Sequence, residues 1–171
     1  MAEILIQPAI EANDIACVRS LMEAYGAYLA SRPHGAANIC LEGYGQELER
    51  LPHPYEILLL ARVDGSPAGC AALKEIHSPA IPEAKACELK RLWVSGEFRG
   101  YGLGRRLMEE ALSWAEEQGL EAMYLDTVPA AMPEANRMYE TMGFHQVERY
   151  NRNPIANVVF FRRSIESSGQ T

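Results

Sequence analysis

The residues whose types and spacing most directly offer chemistry are Arg99-Gly100-Tyr101-Gly102-Leu103-Gly104. A strand-like run precedes them and a helical pattern follows, so the loop opens a helix. A helix N-terminus leaves backbone N–H groups unpaired and carries a partial positive charge, which suits a phosphate. Glycines let the backbone approach a ligand closely and adopt conformations closed to other residues. Arg105 and Arg106 fall in the first helical turn, where the dipole disfavours a cation by about 0.3–1 kcal/mol each. Their i+4 partners Glu109 and Glu110 are paired in the less favourable direction. A bound anion would offset this cost; two solvated arginines are the alternative.

No Lys-Ser or Lys-Thr follows Gly104, so the loop is not a Walker P-loop. The spacing is G-x-G-x-G rather than that of the dinucleotide fingerprint, and no repeated βαβ unit surrounds it. Other reactive side chains are scattered. Cys17, Cys40, Cys70 and Cys87 form no C-x-x-C pair and have no histidine at zinc-finger spacing. Free buried thiols in a reducing compartment are expected, with no metal site. His34, His53, His77 and His145 are isolated, and no Ser-His-Asp arrangement follows from spacing.

These residues need elements to position them. Ile4-Leu5-Ile6 reads as a strand ending at Pro8, and Asp14 as the N-cap of a helix. Ile15, Val18, Met22, Tyr25 and Leu29 then recur at helical spacing until Arg32-Pro33. Residues 34–54 are irregular, with a short helix from Gln46 to Leu51. Strands over 56–63 and 68–76 flank the hairpin signal Asp64-Gly65. A loop over 77–83 leads to a third strand over 86–94. From Gly102 to Gln118, Leu103, Leu107, Met108, Ala111, Leu112 and Ala115 trace one apolar stripe that Gly119 stops. A strand at 122–126, a helix opened by Pro133 and closed by Gly143, and strands at 144–147 and 158–162 complete the order. The order β-α-(α)-β-β-β-α-β-α-β-β predicts an α/β fold with a mixed, largely antiparallel sheet and helices on both faces. With no repeat or linker, residues 1–166 are expected to form one domain and 167–171 a frayed tail.

Length and composition exclude several classes. The 171 residues, 48% apolar and 23% charged, suit one ordinary globular domain. A net charge of −7 argues against nucleic acid as a partner. It is compatible with a cationic or amine-bearing substrate. Met1 to Gln7 lacks the regions of a signal peptide, and no apolar run approaches the roughly 20 residues that span a bilayer. The expectation is a cytoplasmic protein with no membrane partner.

Glu88-Leu89-Lys90-Arg91-Leu92-Trp93-Val94 followed by Arg99 to Gly104 resembles the central motif of the GNAT superfamily of N-acetyltransferases. That motif is a strand of the form L-x-V, a short turn, and R/Q-x-x-G-x-G/A opening a helix. Leu92-Trp93-Val94 and Arg99-x-x-Gly102-x-Gly104 match at each defining position. Asn136, Tyr139 and Gly143-Phe144 resemble the family's N-x-x-Y-x-x-x-G-F helix end. The resemblance implies a GNAT-like acyl-CoA-binding fold with about seven strands, two of them splayed apart around coenzyme A. It implies that the backbone of Leu92, Trp93 and Val94 runs beside the pantetheine arm. The N–H groups from Arg99 through Gly100, Tyr101, Gly102, Leu103 and Gly104 to Arg105 would cradle the pyrophosphate, and Asn136 would reach the cofactor from the next helix. The implied activity moves an acetyl group from acetyl-CoA to a primary amine by direct attack in a ternary complex, without metal. A non-catalytic acyl-CoA-binding module, another acyl-CoA or a hydroxyl acceptor are the alternatives, and a homodimer stays open.

Such a transfer needs a neutral amine, although a free alkylamine has a pKa of about 10.4. It also needs stabilisation of the carbonyl oxygen as charge develops, and a proton for the departing sulfur. By its match to the family's helix tyrosine, Tyr139 is the candidate proton donor; a core tyrosine beside Ala135, Met138 and Met142 is the alternative. Glu88 resembles the base of some family members, acting directly or through water. Strand alternation places it on one face with Leu92 and Val94. A salt bridge with Lys90 or Arg91 is the alternative. A backbone N–H near Leu92 to Val94 is expected to meet the oxyanion. The resemblance also implies that the first helices and the last hairpin supply the acceptor pocket, which makes Glu23, Tyr25 and Tyr150 candidates; for Tyr25 the inward stripe of its helix is the alternative.

Overall fold

A computed structural model describes residues 1–32 and 43–166. The expectations for His34, Cys40 and the tail lie outside the described residues. The elements are β1 (Ile4–Pro8), α1 (Ala12–Ser31), α2 (Tyr44–Arg50), β2 (Ile57–Val63), β3 (Ser66–Ile76), β4 (Ala86–Val94), α3 (Leu103–Glu117), β5 (Ala122–Thr127), α4 (Pro133–Thr141), β6 (His145–Val147) and β7 (Val159–Ser164). They form one seven-stranded sheet in the order β1-β2-β3-β4-β5-β7-β6, with only β4 and β5 parallel. The expected element order and mixed sheet are both present.

The leucine-rich β2 is buried on both sides. Leu58 and Leu60 meet α1 and α2, while Leu59, Ala61 and Val63 meet α3. The apolar stripe of α3 lies in the second of these cores, with Leu107, Met108, Ala111 and Ala115 fully buried. Burying a leucine or methionine there contributes about 1.5–3 kcal/mol each. On the opposite face, α1 and α2 approach so closely that a Cβ at Gly26 would lie 2.9 Å from the Tyr44 ring. Asp14 is not the N-cap. Glu11 holds that position, and Asp14 sits in the first turn, ion-paired to Arg62 at 2.9 Å. A carboxylate there still suits the helix dipole.

One irregularity in β4 sets the geometry of the site. Ala72 pairs with Lys90 and Cys70 with Trp93, so two β4 residues, Arg91 and Leu92, oppose the single residue Ala71. Arg91 takes the left-handed conformation, φ 59°, as a β-bulge allows. Its side chain is held by a bidentate pair with Glu47 of α2 (3.0 and 3.1 Å) and lies over the Tyr44 ring. Burial alone would lower the Arg91 pKa, but the Glu47 hydrogen bonds outweigh it and hold the guanidinium charged.

The bulge reverses which face each later residue occupies. Cys87 and Leu89 point to α3; beyond the bulge Leu92 and Val94 do, while Trp93 packs under α1. The expectation that Glu88, Leu92 and Val94 share a face is therefore overturned. The inserted residue shifts the two-residue period by one, and Glu88 faces the other side.

Candidate active site

The parallel ladder between β4 and β5 is short. It joins Ala86 to Ala122, Cys87 to Met123 and Glu88 to Tyr124, and then stops. Past Glu88, β4 has no strand partner on that side among the described residues, and its edge is a template for another extended chain. Two adjoining cavities occupy the opening, sharing Leu92, Ala131 and Met132 as walls.

The cavity of 450 Å³ lies at the start of α3. Leu92, Trp93, Val94, Arg99, Gly100, Gly102, Leu103 and Gly104 all line it. Gly102 is the residue preceding α3 and has φ 71°, and Gly100 has φ 94°. Both conformations are costly for a residue with a Cβ. No atom lies within 4 Å of a Cβ built at either glycine. Among the described residues no side chain caps this helix end, and no acidic residue sits in its first turn. Its N–H groups and positive dipole end are left to a ligand or solvent. Arg99 reaches over the Tyr28 ring, 5.6 Å from its centroid, as Arg32 does at 5.5 Å.

Three expected contact residues are not on this wall. Tyr101 is 43% exposed, its ring beside Phe98. The Arg105 guanidinium turns outward to the Thr141 hydroxyl, at 3.4 Å. Asn136 is buried, and its amide donates to Thr127 Oγ1 (3.0 Å) and to the Met132 carbonyl (2.8 Å). One turn into α4, its side chain ties the helix to the end of β5, through partners that themselves line the second cavity. Its Oδ1 has no partner among the described residues.

The second cavity, of 320 Å³, is lined by both Tyr139 and Glu88. Tyr139 comes from α4, its ring packed on Phe144 and Phe161, with centroids at 6.0 and 6.3 Å. Among the described residues its hydroxyl has no hydrogen-bond partner. Burial pushes its pKa above the ordinary value, with Tyr25 and Asp126 adding to the effect, so the phenol stays protonated.

Glu88 is 3% exposed and well supplied with partners. It accepts from the Tyr150 hydroxyl at 2.6 Å and from Asn151 Nδ2 at 3.1 Å. Lys90 and Lys74 stand 3.4 and 3.8 Å from its other oxygen. The expected salt-bridge alternative is thus half met: Lys90 pairs with Glu88, whereas Arg91 pairs with Glu47. Asn151 also donates to Asp126 at 2.6 Å, binding the two carboxylates into one network. Tyr150 is pushed far above its ordinary pKa by burial and then by the Glu88 charge.

Of the acceptor-pocket candidates, Tyr25 lines the second cavity, Tyr150 supports Glu88 from below it, and Glu23 is exposed on the outer face of α1. Lys74, Asp126, Asn151 and Arg152 are cavity residues that the sequence did not single out. They come together only through the fold, with Asn151 and Glu88 separated by 63 positions. Cys17, Cys70 and Cys87 are free thiols. Among the described residues no three His, Cys, Asp or Glu side chains converge to hold a metal ion, and no helix is long and apolar enough to cross a membrane.

Residues 19–144 match the model of the acetyltransferase (GNAT) family. An uncharacterized N-acetyltransferase of Schizosaccharomyces pombe is 40% identical over 110 residues, covering 64% of this chain and 64% of the relative, less than two thirds of its length. A protein of Azospirillum brasilense named IAA acetyltransferase is 32% identical over 130 residues, covering 74% of this chain and 76% of the relative. The crystal structure of a GNAT-family acetyltransferase from Staphylococcus aureus superposes with a TM-score of 0.71 at 18% identity, covering 96% of this chain and all of the other.

Proposed function

Because the chain belongs to the acetyltransferase (GNAT) family, we propose that it moves an acetyl group from acetyl-CoA to a primary amine by direct attack in a ternary complex. We assign this activity to a single domain over residues 1–166. The observation that carries the proposal is the opening between β4 and β5, with an uncapped helix end beyond one mouth and a tyrosine and a carboxylate lining the same inner cavity.

The chain's own groups fit such a cofactor. The open space at Gly100 and Gly102 admits a phosphate against the backbone, and the start of α3 offers N–H donors and a positive dipole end. The unpaired edge of β4 at Leu92 and Val94 suits the amide-bearing pantetheine arm, which would lie as an added strand. Arg99 supplies a positive charge at the mouth. Tyr101, Arg105 and Asn136 serve through backbone or packing rather than through the cavity wall.

Acetyl-CoA supplies a carbonyl activated as a thioester and a thiol leaving group. Tyr139 Oη holds a proton, and with no competing partner among the described residues it is free to give that proton to the departing sulfur. General acid catalysis of this kind contributes about 10²–10⁴-fold. Lys74 and Lys90, paired with Glu88 and Asp126, offset the carboxylate charges that would otherwise hold a bound amine protonated. Glu88 takes the amine's proton through a water. A backbone N–H of β4 between Leu92 and Val94 would stabilise the carbonyl oxygen as it gains charge.

Acetyl-CoA with a panel of amines, followed by detection of released free thiol, tests the reading. Amine-dependent thiol release that is lost in Glu88→Gln and Tyr139→Phe is expected. Tight binding of acetyl-CoA without release for any amine would instead favour the acyl-CoA-binding module.

A further inference from the structure

The cavity facing Glu88 and Tyr139 carries a charge opposite in sign to that of the whole chain. The chain has a net charge of −7, yet among the described residues the walls hold Lys74, Lys90, Arg91 and Arg152 against Glu88 and Asp126. Arg91 is neutralised from behind by its bidentate pair with Glu47, which does not line the cavity. That leaves three cations facing two carboxylates.

The carboxylates are also the more fully engaged. Glu88 accepts from Tyr150 at 2.6 Å, and Asp126 from Asn151 at 2.6 Å. The lysines approach them only at 3.4–3.8 Å, beyond a good charged hydrogen bond. Among the described residues neither Nζ donates a hydrogen bond, and Arg152 has no carboxylate within 4 Å. The half-buried ammonium groups of Lys74 and Lys90, with the exposed Arg152 guanidinium at the rim, therefore outnumber the acceptors they meet among the described residues.

Resting on the transferase reading, we infer that the amine acceptor also carries an anionic group, a carboxylate, held by Arg152 and Lys74 while the amine faces Glu88. The acceptor class is then the amino acids and related amino carboxylates. Leu29, Leu125, Val128 and Val158 add apolar surface to the cavity walls, which suits an apolar side chain.

Calorimetric titration of glycine, L-leucine and L-phenylalanine, each beside its amide, into protein saturated with coenzyme A tests the inference without requiring turnover. O-phosphoethanolamine is the phosphate arm. The amide's amine is the less basic, so simple reactivity would favour amides; the charge argument predicts the reverse order. L-Leucine or L-phenylalanine should bind at least tenfold tighter than its amide, the effect of one charged hydrogen bond. Arg152→Gln should remove most of that preference without changing the affinity for coenzyme A. Equal binding of acid and amide, or binding of neither, overturns the inference, and preference for the phosphate arm overturns the carboxylate assignment. The transferase reading fails separately, if acetyl-CoA does not bind.

Discussion

Replacing Tyr139 by phenylalanine removes one oxygen and little else. The ring keeps its contacts with Phe144 and Phe161, and no hydrogen bond within the chain is lost, because the hydroxyl has no partner among the described residues. Losing an unpartnered hydroxyl at a cavity wall costs no hydrogen bond among the described residues and is close to neutral for stability. Tyr139→Phe should therefore unfold within about 0.5 kcal/mol of the parent in urea, the ordinary range for a change that disturbs no packing. Tyr139→Ala, by contrast, should lose about 3–5 kcal/mol to the cavity it leaves. Activity should respond in the opposite proportion. If the phenol gives its proton to sulfur, kcat for thiol release falls about 10²–10⁴-fold while KM for acetyl-CoA is kept. Because the folded pKa of Tyr139 lies above its ordinary value of 10.0, the phenol stays protonated beyond pH 10, and the basic limb of the rate profile should not follow its titration. A kcat for Tyr139→Phe within threefold of the parent, in a folded protein, would refute the assignment and make Tyr139 a packing residue.

Other expectations rest on separate observations. Gly102→Ala places a Cβ at φ 71°, which costs roughly 1–2 kcal/mol. It should weaken acetyl-CoA binding in a direct titration as well as lowering the urea midpoint. Arg91→Ala strands Glu47 beneath the bulge. Since both side chains keep 19% exposure, a loss of about 3 kcal/mol is expected, the lower end for a broken buried pair, and Glu47→Gln in the same chain should recover part of it. Burial pushes the Cys70 and Cys87 thiols up to about 12. Their folded pKa values are raised, so the associated stability is present below the unfolded value of about 9 and is lost as the pH climbs toward 12. A thiol reagent at pH 8 should accordingly modify Cys17 well before either of them.

The extent to which the site was legible follows from what each feature leaves in the chain. Arg99 to Gly104 is a local device, and its glycines, helix start and cation are neighbours in sequence. The structure places Gly100 and Gly102 with positive φ before α3. The hairpin at Asp64-Gly65 was legible for the same reason. The β4 bulge was missed, although it leaves a trace: apolar residues fall at 87 and 89 and then at 92, 94, a change from odd to even parity that one inserted residue produces. Reading one uninterrupted alternation put Glu88 on the wrong face. The Glu88–Asn151–Asp126 network has no local trace at all, since Asn151 enters from the loop before β7. Asp14 was misplaced because capping and first-turn positions favour the same carboxylates; Arg62, a partner from β2, accompanies the choice.

The central claim is that the opening between β4 and β5 and the start of α3 hold acetyl-CoA. Thermal unfolding with and without acetyl-CoA, beside ATP and NAD, tests it most directly. At 100 times Kd the ligand should add about 2.7 kcal/mol, a rise of roughly 5–10 °C for a domain of this size. A rise with acetyl-CoA but not with ATP or NAD, reduced in Gly102→Ala, is the predicted result. No rise in a folded sample, or an equal rise with all three, would contradict the account.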